Sequence, residues 1–174
     1  MRPAGALLLL VAIAVFAGGS VVGFNLLTSS ASTSVAAPSC TPKTVAEGDD
    51  VTPNLVTVNV YNASRTAGLA NRVSILLQRR GFLTGTIANN PTDVKTPNIR
   101  IFASDPDDPR VQLVRSQFVG TVTIEEPVPT IAQDGVSVLV GSNYASKGLD
   151  KDAEDAKITS DRAFDVCLPV LPVS

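Results

Sequence analysis

Residues 56–82 read VTVNVYNASRTAGLANRVSILLQRRGF, and no other run limits the fold as much. Val56, Val58 and Val60 alternate with Thr57, Asn59 and Tyr61, the period of a strand with one buried face. Asn62-Ala63-Ser64 supplies a turn. Over about residues 66–80 the period changes, and Leu69, Ala70, Val73, Leu76 and Leu77 fall on one stripe of a helix. Gly81 stands where a helix ends in the left-handed conformation, which glycine adopts without strain. A strand thus feeds directly into an amphipathic helix through a short polar loop.

The same unit recurs downstream. Phe82 to Ala88 alternates and stops at Asn89-Asn90-Pro91. Asn98 to Ala103 follows as a strand, with Ile99 and Ile101 on one side. Asp108 is placed as an N-cap and Pro109 as the first helical residue, where no amide hydrogen is needed. Val111, Leu113, Val114 and Phe118 give that helix its apolar side, and Gly120 is expected to close it. Thr121 to Glu125 alternates with Val122 and Ile124 inward, and Val136, Val138 and Val140 form a last strand. The order is βαββαββ. It predicts an α+β fold, a two-layer sandwich of split β-α-β type, with two helices on one face of a mixed sheet. Residues 41–55 are expected to be extended, 145–165 a loop or short helix. Val166 to Val173 is expected to lie across the domain.

Residues 4–27 carry no charge and only one strongly polar residue, Asn25. As a helix they would span about 36 Å at ~1.5 Å per residue, enough for a hydrocarbon core of roughly 30 Å. The apolar stretch exceeds that of an ordinary signal peptide, which favours a retained anchor, although Ser34-Val35-Ala36 has small residues at cleavage-like spacing. Arg2 ahead of the span points to a cytoplasmic stub at 1–3 with the body outside. Residues 28–54 then read as a tether, most clearly the small, uncharged run 28–39. The expected layout continues with a domain at 55–144 and an extension at 145–174.

With 16 acidic and 14 basic residues, and the bases dispersed, the chain has no nucleic-acid surface in its composition. It has no histidine, so the commonest general base and zinc ligand are missing. Cys40 and Cys167 bracket the predicted domain, and outside the cytoplasm such a pair is expected to be oxidised. Asp105, Asp107 and Asp108 lack the spacing of a calcium loop. Glu125 and Glu126 alternate across a strand and make a poor acid–base pair. Ser146 and Lys147 are adjacent, and neighbours on a helix do not face each other. No catalytic residue, metal ligand or cofactor is assigned.

A binding site fits better. Asn62, Ser64, Arg65 and Thr66 lie beside a helix N-terminus, where amide hydrogens favour anions or hydroxyls. Asn143 and Tyr144 join the same rim if the sheet brings those strand ends together. Turn shaping and helix capping account for Asn62 and Ser64 more simply.

The body resembles the LytR C-terminal domain family over about residues 55–144. The matching pieces are the 56–82 run, the NIRIFAS strand, the helix led by Asp-Pro-Arg, and VSVLVGSNY. Ser142-Asn143 stands where relatives often carry an Asp. In that family the domain often trails an LytR-CpsA-Psr catalytic domain, which this chain lacks. The layout is similar to the stand-alone envelope integrity proteins of actinobacteria, and the paired cysteines fit that group. The resemblance implies a non-catalytic, single-pass membrane protein with its domain outside the cell. Its expected partners are wall glycopolymer, peptidoglycan or LytR-CpsA-Psr proteins. The alternatives are an enzyme acting on envelope glycopolymers and a structural subunit of a membrane complex, the latter resting on small faces at Gly18, Gly19 and Gly23.

Overall fold

A computed structural model describes residues 40–144 and 148–169. The apolar segment, the tether through Ser39 and the Ser146-Lys147 pair lie outside the described residues. Among the described residues no helix is long and apolar enough to cross a membrane.

The chain starts with two short strands, β1 (Cys40–Val45) and β2 (Asp50–Val51), and a 3-10 turn at Pro53–Leu55. The sheet and helices follow: β3 (Thr57–Asn62), α1 (Leu69–Arg79), β4 (Leu83–Asn89), β5 (Ile99–Phe102), α2 (Pro109–Ser116), β6 (Val122–Glu125) and β7 (Val136–Val140). Two further strands, β8 (Ile158–Thr159) and β9 (Phe164–Pro169), complete the described chain. The expected βαββαββ order is present between β3 and β7.

The sheet order is β4-β3-β7-β5-β6. Pairing is parallel for β3 with β4, β3 with β7 and β5 with β6, and antiparallel for β5 with β7. The expected split β-α-β arrangement is therefore corrected. Each helix joins two strands that pair directly, and β7 inserts between the two units. The physical reason lies in β7 itself. Its sequence, VSVLV, is buried at all five positions, and such a strand belongs in the centre, where both faces are covered.

Both helices pack on one face. Leu69, Ala70, Val73 and Leu77 of α1, with Val111, Leu113 and Val114 of α2, join one core with Val58, Val60, Ile99, Ile101, Val136 and Val138. Leu76, read as part of the α1 stripe, is instead exposed at 38 %, and Ser74 is buried. The second face is also covered. Tyr61, Phe102, Ile131 and Leu139 form a smaller cluster beneath the long β6–β7 connection. Strand alternation therefore misplaces Asn59 and Tyr61, which are buried rather than solvated.

The helix ends follow local chemistry. At the end of α1, Gly81 has φ 92°. Its N–H donates to Gln78 O at 2.9 Å, and the Phe82 N–H donates to Leu77 O at 3.2 Å. Those two bonds make a Schellman cap, with Phe82 buried in the same core as Leu77. The start of α1 falls later than expected, at Leu69, because Gly68 at φ 70° breaks the helical path. Asp108 caps α2, accepting from the Arg110 N–H at 2.8 Å, with Pro109 in the first turn. That helix ends at Ser116, so Gly120 lies beyond it.

The two ends of the described chain are stitched to the domain. Strands β1 and β9 pair antiparallel, as do β2 and β8. Residues 40–45 and 50–55, read as the extended end of a tether, are thus part of the folded body. Cys40 and Cys167 form a disulfide with Cα atoms 5.3 Å apart, and among the described residues there is no free cysteine. The segment after Gly148 is held by Arg80, which donates to Gln117 Oε1 at 2.8 Å and to Asp150 O at 2.5 Å.

Candidate functional site: two loops on one rim and a cavity at the far end

The parallel register of β3 and β7 sets Asn62 beside Val140, and the Ala63 N–H donates to Val140 O at 3.0 Å. The loops after these strands therefore leave the sheet at the same end. Asn62 Oδ1 accepts from the Ser64 N–H at 2.9 Å and from the Ser64 hydroxyl at 2.8 Å. Asn62 Nδ2 donates to Thr66 O at 2.8 Å, and the Thr66 N–H donates to Ser64 Oγ at 3.0 Å. Asn62 and Ser64 thus shape the loop, and α1 has no side-chain N-cap. Arg65 and Thr66 are left exposed.

Asn143 stands on the neighbouring loop, also exposed. Its N–H donates to Pro97 O at 2.7 Å and its side-chain amide to Asn98 Oδ1 at 2.9 Å. Tyr144 turns the other way. It is 7 % exposed, and its ring meets Phe118 edge-on at 5.9 Å between centroids. Its hydroxyl has no hydrogen-bond partner among the described residues. Burial raises its pKa, with the nearby Arg80 charge opposing. The structure thus brings Asn62, Ser64, Arg65, Thr66 and Asn143 to one rim and turns the Tyr144 ring inward. Glycine at position 141 is required by crowding, since a Cβ there would collide with the carbonyl oxygens of Thr96 and Pro97.

A second feature lies at the opposite end of the sheet. A cavity of about 240 Å³ opens between the loop after β5, the first turn of α2 and the β6–β7 connection. Phe102, Val111 and Val136, each 4 % exposed, form its apolar inner wall. Its polar wall holds Asp105, Asp108 and Arg110. Arg110 forks onto Asp108, with Nε to Oδ1 at 3.0 Å and Nη2 to Oδ2 at 2.5 Å. Its guanidinium also lies over the Phe164 ring at 4.8 Å. Burial pushes the Asp108 carboxyl up, but the hydrogen bonds from Arg110, aided by the charges of Arg110 and Arg162, outweigh it and hold it below the usual carboxylate range. The hydrogen bond to Asp108 raises the Arg110 pKa, against the effect of burial. Asp105 accepts from the Asp107 N–H at 2.9 Å and forms an ion pair with Arg162 of the terminal ribbon.

This cavity is not legible as a site in the sequence. The signal was present in Asp108-Pro109-Arg110, but capping alone accounted for it, and nothing local links these residues to Gln133 or Val136. In the acid-rich run, Asp105 is engaged by its own loop and by Arg162, Asp108 by Arg110, and Asp107 is exposed. Among the described residues no group of three or more metal-ligating side chains comes together. Glu125 pairs with Arg100 on the sheet.

The fold is a mixed sheet with two helices on one face, and its candidate sites are a loop rim and a cavity. A family model described as LytR cell envelope-related transcriptional attenuator matches residues 55–144, and the chain belongs to that family. Its role is accordingly cell-envelope-related, in a domain class that is attenuator-type and not a known catalytic one. No curated protein matches the chain. Among solved structures, it is similar to the soluble domain of a conserved hypothetical secreted protein, an Rv2700 ortholog, from Mycobacterium marinum. The two share 23 % identity over 60 % of this chain and 70 % of that one, with a TM-score of 0.46.

Proposed function

We propose that this chain is a non-catalytic, extracytoplasmic module of the cell envelope, held at the membrane by residues 4–27, that binds wall glycopolymer. The observation that carries the reading is the meeting of two loops at one end of the sheet. The 62–66 loop is braced by its own hydrogen bonds and exposes Arg65 and Thr66 at the end of the sheet that also carries Asn143. A rigid rim with exposed guanidinium, hydroxyl and amide groups suits a polymer rich in hydroxyls and anionic linkages. The Cys40–Cys167 bridge supports the compartment, because such bonds persist in oxidising surroundings.

The test is co-sedimentation of the full chain with purified insoluble wall polymer. We expect retention of the native chain and at least a threefold loss in Arg65→Ala combined with Thr66→Ala. Equal retention of the variant removes the rim from the reading. Absence of retention, with co-purification of an LytR-CpsA-Psr protein instead, moves the partner from polymer to assembly enzyme.

A further inference from the structure

The cavity beside α2 has a composition that the rim lacks, and we infer that it is a site for one neutral, hydroxyl-rich ring, a single sugar unit. Three observations lead there. The first is size. At about 240 Å³ it falls below the roughly 300–1,000 Å³ of sites that hold drug-sized ligands. One ring fits that space.

The second is charge. Asp105 is paired with Arg162, and Asp108 with Arg110. Each carboxylate of the wall is therefore ion-paired before any ligand arrives, Arg162 being shared with Asp161. An anionic group would face two carboxylates, and an added cation would compete with two arginines already in place. Neither charged class is favoured over a neutral one.

The third is the set of groups left over. Arg110 Nη1 makes no hydrogen bond among the described residues, while its other nitrogens are held by Asp108. Ser104 lines the mouth, exposed, with its hydroxyl free of partners there. Gln133 donates its amide hydrogens to Val128 O at 3.1 Å and Ile131 O at 2.7 Å, which orients its Oε1 as an acceptor without a donor among the described residues. Residues that carry a spare donor, an acceptor and a hydroxyl thus line the same cavity as Phe102, Val111 and Val136. A sugar ring has the matching halves: hydroxyls that both donate and accept, and a face of C–H groups.

The inference takes from the proposed function only the source of the ligand, a wall saccharide, and the site stands on its own geometry. Saturation-transfer NMR on the full chain, with methyl β-glucopyranoside as probe and glucose 1-phosphate as anionic control, reads it directly. We expect transfer to the ring protons of the neutral glycoside, with a Kd on the order of millimolar for so small a ligand, and at least fivefold less transfer to the phosphate. Ser104→Trp, at an exposed position, should close the mouth and abolish transfer, and Arg110→Gln should weaken it severalfold. A control at exposed Arg72 of α1, Arg72→Ala, which lies in neither site, should leave it unchanged. No transfer to the neutral glycoside, equal transfer in Ser104→Trp, or preference for the phosphate overturns the inference. Glycoside transfer without polymer retention rejects the polymer reading and leaves this site standing. The converse result does the reverse.

Discussion

Asn59 organises more of this molecule than its place in a valine strand implies. It is 2 % exposed. Its Oδ1 accepts from the Thr86 N–H at 2.7 Å, inside the register shift between β3 and β4. Its Nδ2 donates to Asp134 O at 2.5 Å and to Ser137 Oγ at 3.3 Å. One side chain thus satisfies a bulge and ties down the β6–β7 connection. Two glycines make room for this: a Cβ on Gly85 would collide with Asn59 Oδ1, and one on Gly135, at φ 78°, with Thr57 O. Removing the amide breaks the half-buried bonds to the Thr86 N–H and Asp134 O and the buried one to the Ser137 hydroxyl, and a buried group left unpaired costs about 1–3 kcal/mol. Asn59→Ala is expected to lose about 2–3 kcal/mol in urea unfolding of the full chain. A loss under ~0.5 kcal/mol, the range of an ordinary surface change, would show that the network is dispensable. Alternation marked Asn59 as outward-facing because the period of two reports only that its side differs from that of Val58 and Val60. It carries no information about a loop that arrives seventy-odd residues later to cover that side.

At the scale of elements, α2 shows how a short helix is fixed from its first turn. It begins at an Asp-Pro pair, and its N-cap carboxylate is also the partner of Arg110. The Asp108 side chain is only 17 % exposed, so this pair is screened less than a surface one. Its folded pKa lies below the unfolded value of about 3.9. The pair therefore stabilises the fold fully above that unfolded value, and the contribution disappears as pH falls through the lower folded value. Asp108→Asn keeps a capping side chain and removes the charge. We expect it to cost about 1 kcal/mol at neutral pH, with the native and variant stability curves converging as pH falls through the lowered folded value. Parallel curves across that range would mean that the carboxylate acts only as a cap. The capping role was readable from the sequence because Asp-Pro at a helix start is a local signal. The stacking of Arg110 on Phe164 and the nearby charge of Arg162 were not, since residues 162–164 reach α2 only through the fold.

For the whole molecule, the disulfide joins residues 127 positions apart and closes β1 onto β9. A loop of that length restricts the unfolded chain by up to about 4.9 kcal/mol in the entropic account, and removing native bridges commonly costs about 2–5 kcal/mol. Replacing both cysteines by serine is expected to fall in that range. Hydrogen exchange should speed up first in Thr41–Val45 and Phe164–Leu168, while β3 and β7 keep their protection. Uniform loss of protection across the sheet would instead make the bridge a condition of folding. The ribbon also carries Arg162 and Phe164 against the cavity wall, so its attachment bears on Asp105 and Arg110 as well as on stability. Period, cap and turn chemistry were enough for the strands and helices between 57 and 140, their order, the two-helix face and the cysteine pairing, because each depends on neighbours along the chain or on compartment. Strand order, the buried second face and the cavity depended on which distant segments meet. Backbone pairing energy is nearly the same for any two strands, so only the competition of whole faces for burial decided that β7 would sit at the centre and that Phe102, Arg110 and Gln133 would enclose one space.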